Sequence, residues 1–282
     1  MMPRDFSRFL IATDLDGTFI CHGQRLPVNE WAVAEFTAGG GIFTVATGRL
    51  HINVRAAVGE PGRLLNAPAV LCSGAYLYDF AKERVVPGTA ETIPADVARE
   101  VLALLRADFP DMLFRVSAPT CQRMEQVTGS LVADAASFDP GTVAVSAPAE
   151  AWPADDWFKI VVRGTPEDLK RLSEVATARF AGRLFCFFSG PKLFEMQKIG
   201  VDKGTGLAKL AALYPDRITV GCGDYENDLA LLKTADIAAC PADAYGPARA
   251  LADFILPPCA EGIFPALLDR LAAWQGKGKG AK

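Results

Sequence analysis

Short, unbroken apolar runs that each stop at a polar residue occur at both ends of the 282-residue chain, and they constrain its fold more than any other feature. Phe9–Thr13 (FLIAT) stops at Asp14, 42–46 (IFTVA) stops at Thr47, and 69–72 (AVLC) stops at Ser73. Helical stretches separate these runs; one of them, 27–37, is closed by Gly39, Gly40 and Gly41. Toward the C-terminus 206–214 is an amphipathic helix, Ile218–Cys222 (ITVGC) stops before Asp224, 228–233 is helical, and 237–240 and Phe254–Leu256 are further short strands. Strands covered on both faces need no polar alternation, so apolar runs of this length between helices predict a buried parallel βαβ sheet.

The middle of the chain is written differently. A helix is expected over 94–109 and strands over Thr142–Val145, 158–162 and 184–188. Between the last two, Thr165 is an N-cap, Pro166 suits the first turn, and Glu167 and Asp168 suit the positive end of a helix running to about residue 180. Pro, Ala, Gly and Ser dominate 118–157, which reads as loops and weak strands. The expectation is therefore a separate α+β unit inserted into a flanking α/β sheet, two domains being what a chain of this length supports at roughly 150 residues each. The last seven residues, GKGKGAK, read as a solvated basic tail.

Composition removes several function classes. Half of the residues are hydrophobic and 22% are charged, enough for a large core. The 29 Lys and Arg against 33 Asp and Glu give a formal charge of -4, which offers no general attraction to nucleic acid or to an anionic membrane. No run approaches the ~20 apolar residues that span a bilayer, and the N-terminus does not read as a signal peptide. The seven cysteines, with no CxxC pair, are expected as buried free thiols in a reducing cytoplasm. Two histidines, His22 and His51, cannot build a His-rich metal site.

Chemistry is concentrated where strands stop or a helix starts. In an open parallel sheet ligands bind at the carboxyl ends of the strands, so Asp14/Asp16, Thr47 and Asp224/Asn227/Asp228 are expected on one edge. Asp14 and Asp16, two apart in an extended segment, should point to one side, with Gly17 permitting the turn that follows. Adjacent carboxylates call for a cation, and hard oxygen donors favour Mg²⁺; a bare acidic turn is the plainer alternative. Thr47, Gly48 and Arg49 supply a hydroxyl, a flexible backbone and a guanidinium, all phosphate-binding parts. Lys203 falls in the first turn of a helix, where its charge opposes the dipole unless phosphate is bound; a solvated Lys beside Asp202 is the alternative. Asp224, Asn227 and Asp228, at i, i+3 and i+4, should face one way, so that Asp224 and Asp228 complete the Mg²⁺ site.

In this order DLDGT (14–18), ATGR (46–49), GVDKG (200–204) and GDYENDLALLKTADIA (223–238) resemble the motifs of the haloacid dehalogenase-like phosphatase superfamily, in its Cof-type branch with a large α/β cap. The resemblance covers the whole chain. It implies a Rossmann-like core over 1–83 and 197–282 and an inserted cap over 84–196. It also implies a Mg²⁺-dependent phosphatase of small phosphorylated metabolites, sugar phosphates foremost. Asp14 would be the nucleophile and Asp16 the general acid and base, while Thr47 and Lys203 would hold the phosphoryl group. Asp14, the backbone carbonyl of Asp16, and Asp224 would bind Mg²⁺, with Asp228 touching the ion directly or one layer out, and Asn227 beside the phosphate. A phosphomutase of the phosphomannomutase type, a sucrose-phosphate or mannosyl-phosphoglycerate type phosphatase, and a non-catalytic sugar-phosphate-binding regulator are the alternatives. The branch usually has Asn-Gly-Ala after the third strand; this chain has Ser73-Gly74-Ala75, placing Ser73 and Gly74 beside the substrate but without the amide.

Overall fold

The computed structural model describes residues 4–126, 142–145 and 147–276. Most of the chain tail, and much of the Pro/Ala/Gly-rich stretch, lie outside the described residues.

The elements run β1 (Phe9–Thr13), β2 (Ile20–Cys21), β3 (Gln24–Arg25), α1 (Pro27–Ala38), β4 (Ile42–Val45), α2 (His51–Val58), α3 (Pro61–Leu64), β5 (Ala69–Leu71), β6 (Tyr76–Asp79) and β7 (Arg84–Val85). There follow α4 (Ala95–Asp108), β8 (Leu113–Ser117), β9 (Gln122–Glu125), β10 (Thr142–Val145), β11 (Lys159–Arg163), α5 (Pro166–Arg179), β12 (Leu184–Gly190) and β13 (Leu193–Lys198). The chain closes with α6 (Lys203–Ala211), β14 (Ile218–Cys222), α7 (Leu229–Thr234), β15 (Ile237–Pro241), α8 (Gly246–Leu251), β16 (Phe254–Leu256) and α9 (Phe264–Ala272).

Two compact units emerge. The first holds the described residues up to Arg49, Ala57–Ala90, and those from Asp202 onward; the second holds Leu50–Ala56 and Glu91–Val201. The first unit is built on a five-stranded sheet in the order β16-β15-β14-β1-β4, parallel throughout. Every residue of β1 and β4 is buried, as their unbroken apolar runs require. Strand order reverses at β1, with β4 on one side and β14 on the other, so the carboxyl ends of these three strands flank the switch point. Leu10, Ala12, Val70, Leu207, Leu210 and Leu231 form a core cluster of this unit.

The second unit carries a six-stranded mixed sheet, β10-β9-β8-β11-β13-β12, antiparallel except for the β9/β10 pair. Phe114, Val116, Ile160, Val162, Phe194 and Met196 alternate along its strands and join the buried faces of α4 and α5 in one cluster. α5 shows its origin in sequence plainly. The Thr165 hydroxyl accepts from the Asp168 N–H, Pro166 begins the helix, Arg179 lies in the last turn, and Leu169, Leu172 and Ala176 form the buried stripe. Arg115, Lys159, Glu195 and Gln197 are buried in the same unit, with Lys159 and Glu195 paired at 2.6 Å. Arg123 instead forms a bidentate pair with Asp156.

Candidate active site

The site is assembled at the carboxyl edge of the parallel sheet. Parallel register puts the ends of β1, β4 and β14 side by side, since Thr13 pairs with both Val45 and Cys222. The residues that follow, Asp14, Thr47 and Asp224, therefore converge although the chain separates them widely. Lys203 enters from α6: its fully buried ammonium donates to Asp14 Oδ1 at 2.7 Å and to Asp228 Oδ1 at 2.5 Å.

One carboxylate oxygen from each of Asp14, Asp224 and Asp228 lies within 4.8 Å of the others. Burial pushes Asp14 well above the usual carboxylate range; Lys203 pulls it down, and Asp228, Asp224 and Asp16 push it up again. Burial, then Asp228, pushes Asp224 up to about 6. For Lys203 burial disfavours the charge, but Asp14 and Asp228 outweigh it and hold the ammonium above its usual range. Three carboxylates around a single ammonium leave a surplus of two negative charges in the ionised cluster.

That surplus, in a donor set made only of hard oxygens, matches a divalent ion of the Mg²⁺ type. Local backbone supports the match. Gly17 has φ +90, and a Cβ there would lie 2.4 Å from Asp224 Oδ2, so only glycine leaves room for that carboxylate. The Thr18 hydroxyl donates to Asp224 Oδ1 at 2.8 Å and fixes its orientation. Thr18 closes the DLDGT motif, which is the one sequence signal for this contact.

Two expectations about side-chain direction need correction. Asp14 and Asp16 do not point to one side: β1 ends at Thr13, and the chain turns at once, with the N–H groups of Phe19 and Ile20 both donating to the Leu15 carbonyl. Alternation along an extended strand therefore does not apply. Asp14 is buried beside Lys203, whereas Asp16 is exposed and takes a bidentate pair of hydrogen bonds from Arg49, each 2.8 Å. The Arg49 guanidinium is thus directed at Asp16.

Asp224 and Asp228 do bring their carboxylates together with Asp14, but through a turn and not across a helical face. Residues Glu226–Asp228 form a 3₁₀ turn before α7, and Asp228 Oδ2 turns back to accept the N–H groups of Asp224 and Tyr225 at 3.0 and 3.1 Å. Asp228, completely buried, braces the loop and Lys203 together, while Asn227 is only half-buried.

Thr47 is buried; its N–H donates to the Val70 carbonyl, and its Oγ1 accepts from the Arg49 N–H at 3.3 Å. Gly48 lies between them in the same turn. Ser73, in the left-handed region at φ 54, donates its N–H to the Thr47 carbonyl at 2.9 Å. Gly74 packs against the carbonyl of Asp202. Tyr76 and Tyr78 are buried and meet edge to face, as packing partners do.

A parallel sheet of this topology, with a buried lysine and an acidic cluster at its switch point, defines a Rossmann-like α/β protein suited to holding a cation and an anion together. The haloacid dehalogenase-like hydrolase family model matches residues 11–267, and the chain belongs to that family. Among solved structures, a HAD/COF-like hydrolase from Plasmodium vivax superposes with a TM-score of 0.81 at 21% identity, covering 94% of this chain and 95% of that one. A haloacid dehalogenase-like hydrolase from Bacteroides thetaiotaomicron gives 0.79 at 18% identity over 93% and 99%. A subclass IIB sugar phosphatase gives 0.76 at 20% identity over 94% and 99%. In sequence, the pyridoxal phosphate phosphatase of Escherichia coli is 31% identical over 97 residues, about a third of either chain (34% of each). No helix of the described residues is long and apolar enough to cross a membrane.

Proposed function

We propose that the protein is a Mg²⁺-dependent phosphatase that hydrolyses small phosphorylated metabolites through an aspartyl-phosphate on Asp14. The observation that carries the reading is the contact of Asp14 with a fully buried lysine inside an acidic cluster of surplus charge. A carboxylate nucleophile and a phosphate dianion repel each other, so their approach needs cations on both. Lys203 is one. Asp14 and Asp224, with Asp228 bracing them, would hold Mg²⁺, which supplies charge neutralisation of the phosphoryl oxygens when bound.

A carboxylate oxygen of Asp14 attacks phosphorus as the ester P–O bond breaks, and Asp16 delivers its proton to the departing oxygen. Water then attacks the aspartyl-phosphate, Asp16 takes its proton, and inorganic phosphate leaves with Asp14 restored. Thr47 and Lys203 hold the phosphoryl group through both steps. Both oxygens of Asp16 accept from Arg49, which places that guanidinium beside the proposed acid and base. Sugar phosphates are the first substrate class to test, with pyridoxal phosphate beside them. Phosphate release from an aryl phosphate, measured with and without Mg²⁺, decides the reading: no release by the wild type, or full release by Asp14→Asn, sinks it.

A further inference from the structure

Lys203 is the first residue of α6, where the helix dipole disfavours a cation. Its four-carbon stem also loses rotamer freedom when the ammonium is held in one place. Its attachment point must therefore be held by something other than its own charge. The backbone supplies three restraints. Asp202 caps the helix: its side chain accepts from the Thr205 N–H at 2.7 Å, and Thr205 Oγ1 accepts from the Asp202 N–H at 3.0 Å.

On one side the Asp202 carbonyl lies so close to Gly74 that a Cβ there would stand 1.9 Å from the oxygen. On the other, a Cβ on Gly204 would stand 2.5 Å from the Ala230 carbonyl oxygen and 2.6 Å from Thr234 Oγ1. Real Cβ atoms do not approach so closely, and backbone carbonyls cannot move aside as side-chain tips do. The residue before Lys203 and the residue after it are each fixed by a glycine contact.

The turn that carries Gly74 is itself anchored to the opposite part of the site. Cys72, Ser73 and Gly74 have φ of 50, 54 and 96, three successive left-handed residues at the end of β5. In that conformation the N–H groups of Cys72 and Ser73 donate to the carbonyls of Arg49 and Thr47 at 3.0 and 2.9 Å. Left-handed backbone at non-glycine residues is strained and persists only where surroundings enforce it. The turn thus ties the Thr47 loop to the start of α6.

We propose that Gly74 and Gly204 are positioning residues for Lys203: a glycine clamp on either side of the lysine, linked through the left-handed turn at 72–74 to the Thr47 loop, sets where the ammonium reaches the phosphoryl group. The functional half of this inference rests on the phosphatase reading; the geometric half does not. The test uses full-length protein labelled with nitrogen-15 lysine, in which the ammonium between Asp14 and Asp228 exchanges slowly and gives a resonance that Lys203→Met removes.

Gly74→Ala and Gly204→Ala are expected to shift or broaden that resonance and to lower kcat/KM for an aryl phosphate about a hundredfold. Gly62→Ala, where a Cβ meets nothing within 4 Å, is expected to change neither. An unmoved resonance in both variants overturns the proposal, and so does a moved resonance with unchanged turnover. If only one variant folds, it decides; if neither folds, the glycines serve the fold at large and the proposal fails. A resonance that responds in a wild-type background without phosphatase activity overturns the catalytic reading alone and leaves the clamp standing.

Discussion

Asp14 sits between opposing electrostatic forces, as the proposed nucleophile would require. Burial and three neighbouring carboxylates raise its proton affinity, and Lys203 opposes them. A carboxyl whose proton affinity the fold raises disfavours the fold once it ionises. Asp14→Asn is therefore expected to keep or raise the melting temperature of the metal-free protein while turnover falls about a thousandfold or more. Thermal denaturation and phosphate release on the same sample check both; a large loss of stability would show that the charge serves folding. Gly17→Ala tests the cradle. With φ +90 and a Cβ 2.4 Å from Asp224 Oδ2, it is expected to weaken Mg²⁺ binding at least about tenfold, read by calorimetry. Unchanged affinity would dissociate Asp224 from the metal.

The elements were the most legible level. Thr165, Pro166, Glu167 and Asp168 announce the start of α5 through local chemistry, and the helix begins there. The end of β14 and the start of α7 were less legible. The spacing of GDYEND suits a helix, but Asp228 accepts from backbone N–H groups of its own loop, which forms a 3₁₀ turn. At Asp16 strand alternation has no hold, because β1 ends at Thr13. Two helix caps separate stability from function. Thr165→Ala and Asp202→Ala should each cost about 1 kcal/mol by losing a capping bond. Only Asp202→Ala, next to Lys203, should also lower kcat/KM. Denaturant unfolding paired with steady-state kinetics reads the contrast, and equal kinetics in both variants would contradict the coupling of α6 to the site.

For the whole molecule, the acidic cluster links stability, pH and metal. Asp224 has an ordinary value of 3.8 and is raised in the fold to about 6. The folded state then holds this proton more tightly than the unfolded one, so the metal-free protein gains stability from Asp224 as pH falls through 6 toward 3.8 and loses it as pH rises. Mg²⁺ bound at the proposed site would compete with that proton and replace its charge compensation. The rise in melting temperature on adding Mg²⁺ should therefore be larger at about pH 8 than at about pH 5. Equal rises at both would mean that the cluster does not take up the ion.

What the sequence determined alone was whatever depends on neighbours along the chain. Apolar runs too unbroken for one-sided burial specified a parallel sheet, parallel strands required a shared carboxyl edge, and the polar residues at the ends of those runs identified the site. The acids at those ends already pointed to negative charge gathered at one edge. Tertiary structure alone decided where side chains aim after the strands stop: Asp14 inward to Lys203, Asp16 outward to Arg49, Asp228 back onto its own loop. It also decided the close approach of Gly74 and Gly204 to backbone carbonyls from elsewhere in the chain. Periodicity encodes which face of an element is buried. The direction of a residue in a turn is set by partners distant in sequence, and those meet only when the chain has folded.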